Sequence, residues 1–174
     1  MRKFRNYLHG FVQKGNLQKH MVSTNMHMNK QQIEELMKRV KDNSDAQKVH
    51  TPYNETTGRL PDFEVQYKIH DEVTSNFTQG ARCDFLYEGD DPKTDGIHMI
   101  WPEFLDDNGE VILDKTIHPK KQGRATMWIG MHESRVKFHR PRLKVGTKGY
   151  WVVGSKKIAN VEVTKILGVF ENKE

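Results

Sequence analysis

The residues best suited to chemistry form a basic run in the C-terminal half of the chain, interleaved with aromatic rings. Residues 135–144 carry five arginine or lysine side chains together with Phe138 and His139. Cationic groups displace counterions from phosphate, and rings or guanidinium planes stack on bases. We therefore predict that eight side chains bind nucleic acid: Arg135, Lys137, Arg140, Arg142, Lys144, Lys148, Lys156 and Lys157. The alternative is a solvated strand face whose aromatic neighbours pack in the core.

The distribution of charge along the chain allows two interpretations. The chain has 174 residues and a formal net charge of +5. Residues 1–60 carry 11 basic and 5 acidic side chains, residues 61–114 carry 3 and 14, and residues 115–165 carry 13 and 2. The acidic and basic segments could compensate each other as strands of one barrel. They could instead leave a basic face for phosphate or for an acidic protein.

No pattern in the sequence indicates catalysis or a bound cofactor. None of the 9 histidines forms a close ligand pair, and the only thiol, Cys83, lies in a strand pattern typical of a buried structural cysteine. The sequence lacks the glycine-rich loop that cradles nucleotide phosphates. The acidic residues at 88–95 lack the regular ligand spacing of a calcium loop. We therefore expect no enzyme, no metal, no cofactor and no nucleotide.

An amphipathic helix is predicted ahead of the main domain. Asn29 and Gln32 form a capping-box pattern, and residues 42–45 are expected to end the helix. Its apolar positions follow the i, i+3, i+4, i+7 spacing and form an apolar stripe: Ile33, Leu36, Met37 and Val40. Because so short a helix is marginal alone, we predict that the apolar stripe packs on the main domain or binds a partner.

From residue 63 the hydrophobic period changes to two, which predicts strands. Residues 63–70 alternate strictly, and further candidates follow at 82–87, 97–101, 110–113, 124–132, 136–138, 149–153 and 157–167. We predict a mostly β protein, an antiparallel β-barrel of about six to eight strands with an appended N-terminal α-helix. The predicted parts are a basic arm (1–28), the helix and a linker (29–61), the β-barrel (62–170) and a tail (171–174).

Three pieces of this strand series match a known family of barrels. The opening strand leads into Gly80, Arg82 and Phe85, which fit a Gly-Tyr-Arg-Pro-Gln-Phe run. Residues 123–129 look like the strand after a Pro-Gly turn, and residues 143–146 and 154–167 look like a closing hairpin. Residues 63–167 thereby resemble the C-terminal (third) β-barrel domain of bacterial elongation factor Tu and small stand-alone relatives of that barrel.

The resemblance implies a barrel that binds rather than catalyses. In elongation factor Tu this domain helps to hold the acceptor and T-stem of aminoacyl-tRNA, and it also contacts the exchange factor. Gly154 and Lys156 lie on the matching hairpin, where the resemblance implies a phosphate contact. The chain departs from the family at residues 159–161 and at three positions of the earlier run: Ala81, Cys83 and Asp84. The GTPase domain has no counterpart in the sequence.

We expect a non-catalytic module that contacts structured, tRNA-like RNA through its basic face. The alternative is a protein-interaction module, an adaptor or immunity-type protein, that binds an acidic partner. The single cysteine fits a reducing compartment, and no segment has the ~20 apolar residues of a membrane span. We therefore expect a cytoplasmic protein with no membrane partner.

Overall fold

The computed structural model describes residues 30–73 and 77–173, and the chain divides into two units after Asn43. Helix α1 spans Lys30–Ala46 and all of its residues are exposed. It continues through residues 42–45, which were predicted to end it, whereas the predicted arm (1–28) and cap (Asn29) lie outside the described residues. No helix in the described ranges has the length and apolar character needed to cross a bilayer.

The second unit contains a closed barrel of antiparallel strands, which confirms the predicted fold class. The strands are β1 (Phe63–Ile69), β2 (Cys83–Tyr87), β3 (His98–Phe104), β4 (Gln122–Ile129), β5 (Lys148–Val153) and β6 (Lys156–Ile166). Around the barrel they lie in the order β1-β4-β3-β2-β5-β6, and β6 pairs with β1. Closure pairs every strand on both sides, so the barrel presents no unpaired strand edge.

Alternation along each strand decides which side chains face the core. In β1 the alternate positions are buried: Phe63, Val65, Tyr67 and Ile69. Gln66 and Lys68 between them are exposed. In β4 the inward positions are Ala125, Met127 and Ile129. The two-residue period that predicted these strands is therefore the period of their burial.

Aromatic rings fill the interior of the barrel. The Trp151 ring of β5 has its centroid 5.0 Å from that of Tyr67 and 5.8 Å from that of Phe104. Phe77 stacks on Trp151 with 13° between the ring planes. Large rings in offset or edge contacts bury apolar area and lock each other's orientation. With its centre occupied in this way, the barrel offers its outer faces to a ligand.

Two of the predicted strands are wrong. Residues 136–138 belong to a helical segment, in which a short turn, α3 (His132–Ser134), continues as a π-helix (Arg135–His139). Its buried residues are the polar Arg135 and His139, four positions apart. Because polar side chains occupy the buried positions, the hydrophobic pattern indicated a strand with a period of two instead of a helix. Residues 110–113 contribute only an isolated bridge between Val111 and Leu105, too short for a strand.

The predicted linker and tail are packed parts of the barrel unit. Residues 47–61 contain α2 (Tyr53–Thr57), and the backbone N–H of Tyr53 donates to Glu103 Oε1 at 2.8 Å. Near the other end of the chain, Asn172 Nδ2 donates to the Leu60 carbonyl at 2.8 Å. The unit that carries the barrel therefore begins before residue 62 and extends beyond residue 170.

Candidate functional site

Four neighbouring strands, in the order β4, β1, β6 and β5, present polar side chains in rows on their outer side. In one row Lys68 lies between Gln122 and Asn160, and Asn160 is opposite Tyr150. In the next row Gln66 lies between Arg124 and Glu162, and Glu162 is opposite Lys148. We define the polar face as the side chains of these two rows other than Arg124, together with Lys157 of β6. Its eight residues are Gln66, Lys68, Gln122, Lys148, Tyr150, Asn160, Glu162 and Lys157.

An open groove of about 420 Å³ crosses the polar face, lined from all four strands. Gly149 forms part of its floor, where a Cβ would lie 2.7 Å from the Leu86 carbonyl oxygen and 2.7 Å from the Phe85 ring. Glycine therefore lets β5 lie close to β2 at this point. Lysine, amide and phenol groups along the groove supply hydrogen-bond donors for an anionic ligand.

Three lysines of the polar face are placed to meet an anion. Lys157 Nζ lies 3.6 Å from the centroid of the Tyr150 ring, a cation–π contact. Among the described residues, Lys68 and Lys148 form no ion pair. Glu88 and Glu162 also line the groove. The groove itself is therefore close to balanced in charge, and Lys157 adds positive charge beside it.

The prediction that Arg135 binds nucleic acid is wrong. Its side chain is 1% exposed, and its Nε donates to Asp62 Oδ1 at 2.6 Å. A second guanidinium nitrogen, Nη2, donates to the Ile129 carbonyl at 2.8 Å. Since the charge is paired inside the protein, it cannot reach a phosphate at the surface.

Two further predicted arginines make contacts within the fold. Arg140 Nε donates to the Val169 carbonyl at 2.8 Å, and so ties the π-helix to the C-terminal residues. Arg142 forms a two-pronged ion pair with Asp90, with both N···O distances at 2.7 Å, and lies 3.8 Å from the centroid of the Tyr87 ring. This pair lowers the pKa of the Asp90 carboxyl, chiefly through the hydrogen bonds from Arg142. Both arginines hold the fold together, and a ligand would have to compete for them.

The five predicted lysines all lie at the surface, in two groups. Lys137, on the π-helix, pairs with Glu133 at 3.6 Å, and Lys144 lies in the turn that precedes β5. Lys148, Lys156 and Lys157 lie on the hairpin of β5 and β6. The structure therefore places Lys148 and Lys157 in the polar face and Lys156 at the end of the same hairpin, opposite Val153. It leaves Lys137 and Lys144 on a different segment.

Part of the alternating charge along the sequence is compensated across the barrel. Acidic side chains of residues 61–114 pair with basic side chains of residues 115–165: Asp62 with Arg135, Glu64 with Arg124 and Lys165, Asp90 with Arg142, and Asp107 with Lys120. The first interpretation of the charge pattern thus accounts for these residues. The lysines of the polar face are among the basic side chains that these ion pairs do not neutralise.

Two buried histidines pack together beneath the π-helix. The rings of His98 and His139 have centroids 5.1 Å apart, and the Tyr87 hydroxyl lies 2.9 Å from His139 Nδ1. Burial, together with electrostatic interaction with His98, Arg135 and Arg142, lowers the pKa of His139 to about 3. His139 is therefore neutral at physiological pH. In residues 30–73 and 77–173, no three His, Cys, Asp or Glu side chains are grouped to hold a metal ion.

Cys83, the single thiol, is buried on β2, as predicted. Burial raises the pKa of the thiol, and the neighbouring Asp84 carboxylate acts in the same direction. A thiol with a raised pKa is protonated at neutral pH, and the thiolate is the reactive form. Cys83 therefore lacks the properties of a nucleophile.

Sequence reasoning missed six of the eight residues of the polar face. Those that were not among the predicted site residues are Gln66, Lys68, Gln122, Tyr150, Asn160 and Glu162. The signal for two of them was present, because the outward positions of the alternating segment 63–70 include Gln66 and Lys68. The sequence did not indicate the order of the strands around the barrel, in which β1 lies between β4 and β6.

The apolar stripe of α1 lies at the surface. Its side chains are between 42% and 68% exposed: Ile33, Leu36, Met37 and Val40. A contiguous exposed apolar surface is typical of a site that binds another macromolecule. The predicted role of the stripe in binding a partner stays a prediction.

The sequence matches no protein-family model and no curated protein. The function of this chain is therefore inferred from the geometry of its own residues.

Proposed function

We propose that this protein is a non-catalytic RNA-binding module that contacts structured RNA through the polar face. The observation that carries the proposal is that Lys68 and Lys148 line one open groove, while Lys157 lies beside it, over the ring of Tyr150. These lysines come from three strands, so the barrel fixes their spacing. Cations neutralise phosphates, a phenol ring can stack on a base, and amides donate to sugar and phosphate oxygens.

The charge of the groove sets the expected strength of binding. Glu88 and Glu162 line the same groove as Lys68 and Lys148 and oppose a dense phosphate cluster. About three phosphate contacts would give log K a salt slope of about −3 for a duplex and about −2 for a single strand. We therefore propose a moderate, salt-sensitive affinity.

The resemblance to the third barrel of elongation factor Tu supports the same proposal. The hairpin of β5 and β6 that carries Lys148, Lys156 and Lys157 is the one that resembles the family's closing hairpin. We propose a relation to translation-factor barrels, with tRNA-like RNA as the partner. The buried, reduced Cys83 fits a cytoplasmic location for such a complex.

Neutralising the lysines of the polar face tests the proposal. We would titrate a labelled tRNA transcript with the wild type and with the triple variant Lys68→Gln, Lys148→Gln, Lys157→Gln, and follow fluorescence anisotropy over a range of potassium chloride concentrations. The triple variant should bind roughly tenfold or more weakly, with a salt slope smaller by about two to three.

A matched triple variant controls for total charge. Lys93→Gln, Lys115→Gln, Lys173→Gln removes the same charge from residues outside the groove, and it should bind nearly as tightly as the wild type. Equal losses in the two triple variants would mean that net charge, not the polar face, attracts RNA. Absence of RNA binding by the wild type at low salt would refute the proposal.

The exposed apolar stripe favours a second candidate, a protein-interaction module that binds an acidic partner. Four apolar side chains on one face of α1 could dock in the groove of a partner. A variant with Leu36→Glu and Met37→Glu should then lose a stoichiometric protein partner that the polar-face triple variant retains. Recovery of nucleic acid alone, with no stoichiometric protein, would exclude this candidate.

A further inference from the structure

A second, smaller pocket lies at the other end of the outer side of β4. Its volume is about 190 Å³, and its lining includes Tyr53, Arg59, Trp101, Trp128 and Gly130. Sites for drug-sized ligands usually measure ~300–1,000 Å³. This pocket therefore has room for one planar ring rather than for a whole small molecule.

The pocket depends on a glycine beneath a tryptophan ring. Trp101 and Trp128 are direct neighbours across β3 and β4, and Gly130 directly follows the end of β4. A Cβ on Gly130 would overlap the six-membered ring of Trp101. Any other residue at position 130 would push this ring out of its place, which gives a way to disturb the pocket without removing an aromatic side chain.

The other ring groups of the pocket are held in fixed positions. Trp128 Nε1 donates to Glu103 Oε2 at 3.1 Å, and the Tyr53 and Trp128 rings meet at 5.6 Å with 69° between their planes. Burial, with the Glu103 carboxylate nearby, raises the pKa of Tyr53 to about 12, so its phenol stays neutral. The pocket is therefore preorganised, which lowers the entropic cost of binding.

The charged group of the pocket indicates the chemistry of its ligand. Arg59 forms no ion pair among the described residues, and its guanidinium would repel a cation that entered the aromatic lining. A guanidinium beside tryptophan instead suits a planar, electron-rich ring with hydrogen-bond acceptors. Nucleobases have these properties.

The outer side of β4 connects this pocket to the polar face. Gln122 lies in the groove of the polar face and Trp128 in the pocket. The two residues are six positions apart along the strand, a distance of about 20 Å. Arg124 and Thr126 occupy the outward positions between, so a strand of RNA that leaves the groove would meet a cation and a hydroxyl before it reached the aromatic rings.

We propose that the pocket of Arg59, Trp101 and Gly130 binds one unpaired base of the RNA whose backbone lies on the polar face. The inference rests on the proposed RNA-binding function and adds a preference for RNA that has an unpaired nucleotide next to its bound backbone. Paired bases cannot enter, because their faces are stacked within the helix.

The test compares one RNA in two forms, a single-stranded oligonucleotide and the same strand annealed to its complement. Wild-type protein should bind the single strand more tightly, with quenching of tryptophan fluorescence. Trp101→Ala should bind the single strand roughly five- to hundredfold more weakly, and should keep the duplex affinity of the wild type. Gly130→Ala, which retains every aromatic side chain, should show the same selective loss, and near-ultraviolet circular dichroism would verify that both variants are folded.

The outcomes separate this proposal from the proposed function. If the polar-face triple variant loses RNA binding but Trp101→Ala and Gly130→Ala bind both forms like the wild type, the function stands and the base pocket is refuted. That result would also be expected if the pocket held an aromatic side chain of a protein partner. If wild-type protein binds the tRNA transcript but neither form of the oligonucleotide, only the base pocket is refuted. If it binds none of the three, both proposals fail.

Discussion

Arg135 and Asp62 form a fully buried ion pair that joins the π-helix to the residue preceding β1. Their side chains are 1% and 0% exposed, and the Nε–Oδ1 distance is 2.6 Å. Asp62 also accepts a bond from the Ile129 backbone N–H at 2.7 Å and one from Asn172 Nδ2 at 3.2 Å. The network therefore fastens three distant parts of the chain to one carboxylate.

Removal of Arg135 should destabilise the protein strongly. Arg135→Met would leave the Asp62 charge buried without its partner, at a cost of about 3–5 kcal/mol in the free energy of unfolding. Urea unfolding followed by tryptophan fluorescence would measure the loss. Arg142→Met, which breaks the more exposed pair with Asp90, should cost about 1 kcal/mol. Similar losses in the two variants would show that burial does not distinguish the pairs.

Strand β1 and Arg135 show which features of the protein could be predicted from the sequence and which could not. The strict alternation from Phe63 to Ile69 identified β1, because a half-buried strand repeats its burial every two residues. The role of Arg135 could not be predicted in this way, since its partner is 73 residues away in the chain. Charge patterns report composition, whereas a buried ion pair depends on the tertiary fold.

The polar face was only partly predicted because its residues come from strands that are far apart in the sequence. Lys148 and Lys157 were predicted because both belong to the basic segment of the sequence, residues 115–165. Lys68 belongs to an otherwise acidic segment, and it joins them only because β1 lies beside β6. Residues brought together by strand order leave little trace in a single sequence.

His139 should make stability fall on mild acidification. The folded protein holds the pKa of His139 at about 3, against its ordinary value of 6.5. Below pH 6.5 the unfolded chain therefore binds a proton that the folded chain excludes, and the contribution of His139 to stability falls by up to about 1.4 kcal/mol per pH unit. Above pH 6.5 this contribution is constant.

Urea unfolding at pH 7 and at pH 5 would measure this effect. Wild-type protein should lose about 2 kcal/mol more than His139→Gln between these conditions, and an exposed-site variant, His118→Gln, should behave like the wild type. The pKa of His98 is lowered in the same direction, mainly by burial, and contributes to the remaining pH dependence. Identical pH dependence in His139→Gln and wild type would contradict the assignment.

Cys83 should react with a thiol reagent only after the barrel opens. Its side chain is 2% exposed, and burial raises the thiol pKa, so both access and the thiolate form are lacking. Dithionitrobenzoate should label the native protein at the slow rate of unfolding and label the urea-unfolded protein at once. A native rate that equals the unfolded rate would place Cys83 at the surface.

Gly149 should tolerate no side chain, because β5 lies against β2 there. An alanine Cβ would come within 2.7 Å of the Leu86 carbonyl oxygen and of the Phe85 ring, and neither the backbone nor the buried ring can move easily. We expect Gly149→Ala to lower the free energy of unfolding by about 2 kcal/mol or more. Its exposed neighbour gives the control, since Lys148→Ala should change the free energy by no more than about 0.5 kcal/mol. Thermal and urea unfolding of both variants would measure the difference, and a neutral Gly149→Ala would mean that the floor of the groove is looser than the structure indicates.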